Sequence, residues 1–159
     1  MFNDMMTHFA FDDEQLKSMY DNYKEMASKK PSQVYAAIGG PLGEWALAAH
    51  FEDACAARMS YALNKSGFDI PRGTKDSYLG GDGKYYIINA AKMKKYLTKV
   101  WGKPQNIGNR IGKVKSAVFF QYGPDFKPTV SGHIDIIYNG KAAHDKYERC
   151  TRNTNLIWH

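Results

Sequence analysis

The sequence predicts an α+β fold in which a helical N-terminal half packs on an antiparallel β-sheet made from the C-terminal half. In the first half, apolar residues recur at helical spacing between capping and breaking residues. In the second, runs of β-branched and aromatic residues are joined by turn signals. Helices first and strands later give segregated layers rather than alternating βαβ units. A chain of 159 residues suits one domain over 1–159, long enough to bury a core without metal or disulfide staples.

The first helix starts at Asp12, whose side chain can cap it, with Gln15 three residues on and a Phe11 to Leu16 staple; Leu16, Met19, Tyr20 and Tyr23 form its inward stripe. Residues 29–32 are its exit. A short helix over 31–38 has Pro31 at its first position and Gly39 at its stop. Another turn or two covers 42–50. Residues 53–65 are rich in good helix formers, with Asp53 as cap, Gly67 as stop, and Cys55, Met59 and Ala62 or Leu63 facing inward.

Residues 68–83 contain Pro71, Gly73, Gly80, Gly81 and Gly83 and read as one long loop. A strand at 85–88 leads to Asn89, which caps a helix over 90–101 whose Met93, Tyr96, Leu97, Val100 and Trp101 follow the helical period. Residues 102–113 read as a second loop, and the stretches 70–83 and 102–113 are expected to shape a substrate groove. Strands follow at 114–122 and 130–138, joined antiparallel through 123–129. In the second of them Ile134, Ile136 and Tyr138 face one way and His133, Asp135 and Ile137 the other. Asn139-Gly140 is the strongest hairpin signal, and a last strand lies at 155–158.

The formal net charge of +6 favours encounter with an anionic partner: nucleic acid, a cell envelope or an acidic protein. Lys92, Lys94, Lys95 and Lys99 read as a solvated helix face rather than a nucleic-acid footprint. Residues 1–11 mix Asn3, Asp4 and His8 among apolar residues, unlike a signal peptide, and there is no run of about 18 apolar residues for a membrane span. The expectation is a chain made in the cytoplasm, without membrane insertion, exported if at all by other means. Two cysteines give neither a disulfide framework nor paired zinc spacings, and no dinucleotide or phosphate-loop fingerprint is present, so no cofactor and no metal is expected. Gly80-Gly81-Asp82-Gly83 reads as a turn.

Cys55 stands in the first turn of its helix, where unpaired backbone N–H groups favour a thiolate, although Asp53 works against it. A thiolate needs a base and a group that orients the base. His133 is a polar residue in an apolar strand beside Gly132, and the hairpin can return Asp145 to its ring. Asp135, two residues along on the same face, competes for that role. The bland alternative is a core cysteine in a non-enzymatic basic binding module for nucleic acid or an acidic protein. A thiol probe separates the two, since a nucleophile should titrate below the free-thiol value of roughly 8.5.

The segment 51–64, Phe-Glu-Asp-Ala-Cys-Ala-Ala-Arg-Met-Ser-Tyr-Ala-Leu-Asn, followed by Gly67-Phe68-Asp69-Ile70-Pro71, resembles the nucleophile helix of the type VI secretion amidase effector 4 family. Tyr85-Tyr86-Ile87-Ile88 with Trp101-Gly102-Lys103-Pro104 is similar to its middle helix region, and Ser131-Gly132-His133-Ile134-Asp135 to its histidine strand. The resemblance covers about Tyr35 to Asp145, in the same order. It implies a papain-related, NlpC-like cysteine amidase that cuts peptidoglycan stem peptides between D-glutamate and meso-diaminopimelate. It also implies delivery by a type VI secretion apparatus to the periplasm of a neighbouring Gram-negative cell, toxicity there, and a cognate immunity protein that blocks the active site. The family's nucleophile, base and acidic third member carry over onto Cys55, His133 and Asp145. The Cys55 backbone N–H is then the expected oxyanion donor, and Cys150 is expected to be free.

Overall fold

The computed structural model describes residues 10–127 and 130–159. The reading of 1–11 therefore lies almost wholly outside the described residues, as does part of the 123–129 connection. Four helices come first: α1 (Asp13–Ala27), α2 (Pro31–Ile38), α3 (Gly40–Ala48) and α4 (Cys55–Lys65). A hairpin of β1 (Ser77–Leu79) and β2 (Tyr85–Ile87) leads to α5 (Ala90–Trp101). The remaining chain supplies β3 (Gln105–Gly108), a 3-10 turn at Ile111–Lys113, β4 (Ala117–Tyr122), β5 (His133–Tyr138), β6 (Lys141–Ala142) and β7 (Thr154–Trp158). No helix among the described residues is long and apolar enough to cross a membrane.

The helices follow their sequence signals. Asp12 Oδ1 accepts from the Gln15 amide at 2.7 Å while Gln15 Oε1 accepts from the Asp12 amide at 2.8 Å, a reciprocal capping box. Asn89 Oδ1 accepts from the Lys92 amide at 3.0 Å at the start of α5. Leu16, Met19, Tyr20 and Tyr23 are buried as their spacing requires, and so are Met93 and Leu97, but Val100 is half exposed at the last turn of α5. Lys92, Lys95 and Lys99 are exposed, the solvated face expected of them.

The sheet departs from the expectation in order and extent. Its five antiparallel strands run β3-β7-β4-β5-β6, so the C-terminal strand is an interior one, inserted between β3 and β4. Residues 102–113 are therefore not simply a loop: Gln105 to Gly108 pair with β7 although only Ile107 of the four is buried. Residues 68–83 likewise contain β1, three residues too short to show a period, held by pairing with β2 across the Gly80-Gly81-Asp82-Gly83 turn. Gly39 and Gly40 both have positive φ at the α2 to α3 junction. A Cβ on Gly40 would lie 2.5 Å from the Gly81 nitrogen, so this close approach admits only glycine.

Helix α4 is the centre of the packing. It lies between α1, β2 and β5, and Cys55, Met59, Ala62 and Leu63 share one apolar cluster with Met19, Tyr23, Ile134 and Ile136. The other face of the sheet buries Phe119, Ile137 and Ile157 beneath the 3-10 turn. Two polar ties fix the position of α4. Arg58, 6% exposed, donates to the carbonyls of Met26 at 3.2 Å and Lys29 at 2.8 Å, satisfying the C-terminal end of α1. Ser60 Oγ accepts from the Ile87 amide at 2.9 Å and lies 2.8 Å from the Ile87 carbonyl, which locks α4 to β2.

Candidate active site

Cys55 is the first residue of α4, two positions later than the helix start read from the sequence; Ala54, not Asp53, is the N-cap residue. Its side chain is 3% exposed, and Sγ lies 3.9 Å from the carbonyl oxygen of Gly132, the residue just before His133. Cys55 and His133 line a pocket of about 420 Å³ together with Arg58, His144 and Tyr147. Glu52, Asp53, His133 and Tyr147 also line an adjoining cleft of about 930 Å³. Its far wall carries Asp125, Lys127, Ser131 and Arg149. Of the two stretches expected to shape this groove, 70–83 contributes Tyr78 and 102–113 contributes nothing, because β3 pairs with β7 at the edge of the sheet remote from β5.

The carboxylate at the His133 ring is that of Asp135, the competing candidate, and not that of Asp145. His133 Nε2 lies 2.8 Å from Asp135 Oδ2, and both side chains are buried. The Asp135 carboxylate also accepts from the backbone amides of Ile136 at 2.6 Å, Asp145 at 2.9 Å and His144 at 3.2 Å. A carboxylate so supplied with donors is an acceptor toward the ring, so Nε2 is the ring nitrogen that donates to it and Nδ1 is the one turned away from Asp135. The hairpin does return Asp145 to this place, but with its backbone inward. Its own carboxylate accepts from the Tyr147 amide at 2.8 Å and pairs with Arg149 at 3.3 Å, away from the imidazole. Strand periodicity already put Asp135 on the His133 face; the orientation of a loop side chain such as Asp145 has no periodic signal. Tyr147, which sequence reasoning did not single out, stands edge-on to the His133 ring with centroids 5.0 Å apart.

The electrostatics of Cys55 also differ from a helix-terminus argument alone. Burial pushes the thiol well up, Asp53 pushes it further, and a backbone hydrogen bond from Ile134 acts in the opposite sense. The Cys55 N–H, the expected oxyanion donor, points to Asp53 Oδ1 at 3.3 Å. Burial therefore favours the neutral thiol in the free protein, and an acceptor bound at the Cys55 N–H has to displace Asp53. Cys150 is a free thiol in the wall of the larger cleft, and no disulfide links it to Cys55. The one group of donors able to hold a metal ion among the described residues is His133, Asp135 and His144, with ligand atoms within 4.8 Å of one another. Two of the three are already bonded to each other.

The model of the family described as type VI secretion system (T6SS), amidase effector protein 4, matches residues 51–158. Among solved structures, the chain is similar to the effector in the Tae4-Tai4 effector-immunity complex of Salmonella Typhimurium. The two are 24% identical with a TM-score of 0.81, over 90% of this chain and 96% of that one. It is also similar to the effector of the corresponding Enterobacter cloacae complex, at 23% identity and a TM-score of 0.78, over 90% and 95%. A search of curated proteins found no relative of the chain. The likeness bears out the α+β, papain-like and NlpC-type fold expected from the sequence.

Proposed function

This chain belongs to the type VI secretion system amidase effector 4 family, and from that premise we propose that it is a cysteine amidase. Its substrate is the peptidoglycan stem peptide, cut between γ-D-glutamate and meso-diaminopimelate. The observation that carries the reading is the buried pairing of His133 Nε2 with Asp135 beside a cysteine at the first residue of a helix. His133 Nδ1 takes the Cys55 proton as Sγ attacks the γ-glutamyl carbonyl, returns it to the leaving amine, and then activates the water that releases the acyl group. Asp135 fixes the tautomer and stabilises the imidazolium. Proton transfer within the pair makes the thiolate when substrate is present, which suits a thiol that burial keeps neutral in the free protein. The 1–159 chain acts as a single amidase domain. Its place of action is the target cell's periplasm, where the cut is toxic, and its partners are a cognate immunity protein and the secretion apparatus.

The test is digestion of a disaccharide tetrapeptide with the products read by mass spectrometry, alongside Cys55→Ala. Release of a diaminopimelate-alanine dipeptide by the wild type alone supports the bond and the nucleophile. Intact substrate with both proteins overturns the stated specificity and favours the binding module.

A further inference from the structure

Trp45, Phe51 and Tyr78 come from α3, the segment leading into α4, and β1, yet their rings form one cluster. The Trp45 centroid lies 4.9 Å from Phe51 and 5.0 Å from Tyr78. Trp45 is 46% exposed and Tyr78 39%, so two large aromatic faces stand in solvent where burial would be the favourable default. Phe51 is anchored from behind by an edge contact with buried Tyr35, centroids 5.8 Å apart, and its amide donates to the Ala46 carbonyl at 3.1 Å. The β1 hairpin is tied to the end of α2 by the Gly81 amide and the Ile38 carbonyl at 2.9 Å. The backbone that carries Phe51 and the β1 hairpin is thus fixed, and the three rings rest on one another.

Phe51 and Tyr78 line the same cleft as His133, with His50, Glu52 and Asn89 beside them. We propose that Trp45 and Tyr78, backed by Phe51, form a carbohydrate subsite that stacks the sugar ring to which the stem peptide is attached. The proposal rests on the amidase reading above and extends it from the peptide to the glycan. A pyranose presents a face of axial C–H groups, apolar and slightly positive, to the negative face of an aromatic ring, and its equatorial hydroxyls point outward to polar neighbours. His50, Glu52 and Asn89 supply such neighbours on this wall.

The reach agrees. Phe51 is four residues before Cys55, so their Cα atoms are separated by at most about 14 Å. Between the scissile γ-glutamyl carbonyl and the sugar lie the glutamyl, alanyl and lactyl units, about three residue lengths or roughly 10 Å.

The experiment measures binding, so that it does not depend on which bond is cut. Cys55→Ala protein is titrated calorimetrically with disaccharide tetrapeptide and with the same tetrapeptide lacking the sugars. The sugars should tighten binding about three- to tenfold, and Trp45→Ala or Tyr78→Ala, each added to Cys55→Ala, should abolish that difference. Trp45→Phe should keep part of it, which separates stacking from a general disturbance of the fold. Equal affinity for the two ligands, no binding of either, or a sugar-dependent difference that survives both alanine variants overturns the proposal. So does a Trp45→Ala variant that retains the sugar preference but loses its complex with an immunity protein, since the patch would then serve a protein partner. Cleavage of both ligands by the wild type, without a sugar preference, would leave the amidase standing and remove the subsite alone.

Discussion

At the scale of single residues, two aspartates compete for one imidazole. Asp135→Ala removes the carboxylate that His133 Nε2 meets, so the imidazole loses the group that orients it. Turnover should fall about a hundredfold or more, the scale of general acid-base assistance. Asp145→Asn keeps the backbone amide that donates to Asp135, so its rate should stay within about threefold of wild type, well below a loss of acid-base function. Measuring kcat for both, with melting curves to confirm folding, decides the point; the reverse ranking would return the orienting role to Asp145. Asp53 is the other residue with leverage, because it raises the thiol and occupies the Cys55 N–H. Asp53→Asn in a Cys150→Ser background should speed alkylation of Cys55 at neutral pH about two- to tenfold, as a lower thiol pKa requires. An unchanged rate would mean that burial alone sets the reactivity.

Elements explain why those residues meet. Tyr23 of α1 is fully buried and donates to the Ile134 carbonyl at 2.6 Å, between the two residues of the His133 and Asp135 pair. Tyr23→Phe deprives a buried carbonyl of its donor, at a cost of about 1–3 kcal/mol. Chemical denaturation should register that loss as a lower midpoint at constant slope, and an unchanged midpoint would show that strand pairing already satisfies Ile134. The sequence made α1 and α5 legible through Asp12 and Asn89, because a cap is a local device whose donor and acceptor lie three residues apart. It made β5 legible through the alternation of Ile134 and Ile136 with His133 and Asp135. It could not reveal β1 or β3, since Ser77–Leu79 and Gln105–Gly108 are strands only because distant segments pair with them. For the same reason Arg58 passed unnoticed: on a helix it reads as one more surface cation, and only the docked end of α1 makes it a buried donor.

Across the whole molecule, the same burial that holds the site together sets its response to alkali. Cys55 and Tyr23 are both fully enclosed, and each is held in its neutral form well above its ordinary range, chiefly by desolvation. Tyr35, bonded to the Asp53 carbonyl, and Tyr86, bonded to the Asp82 carboxylate, are raised in the same direction. In the unfolded chain these groups release their protons at ordinary values, about 8.5 for the thiol and about 10 for the phenols. Above those values the unfolded state binds fewer protons than the folded one, so stability is complete below them and declines as pH rises. Each fully buried group should contribute a slope of about 1.4 kcal/mol per pH unit once its unfolded value is passed. Melting temperature should therefore be level through neutral pH, begin to fall near pH 8.5 and steepen near pH 10. Cys55→Ser should remove the first part of that decline and leave the steep part, which belongs to Tyr23 and its neighbours. A curve for Cys55→Ser that parallels the wild type between about pH 8.5 and 10 would show that the thiol ionises within the fold at its ordinary value, in spite of its burial.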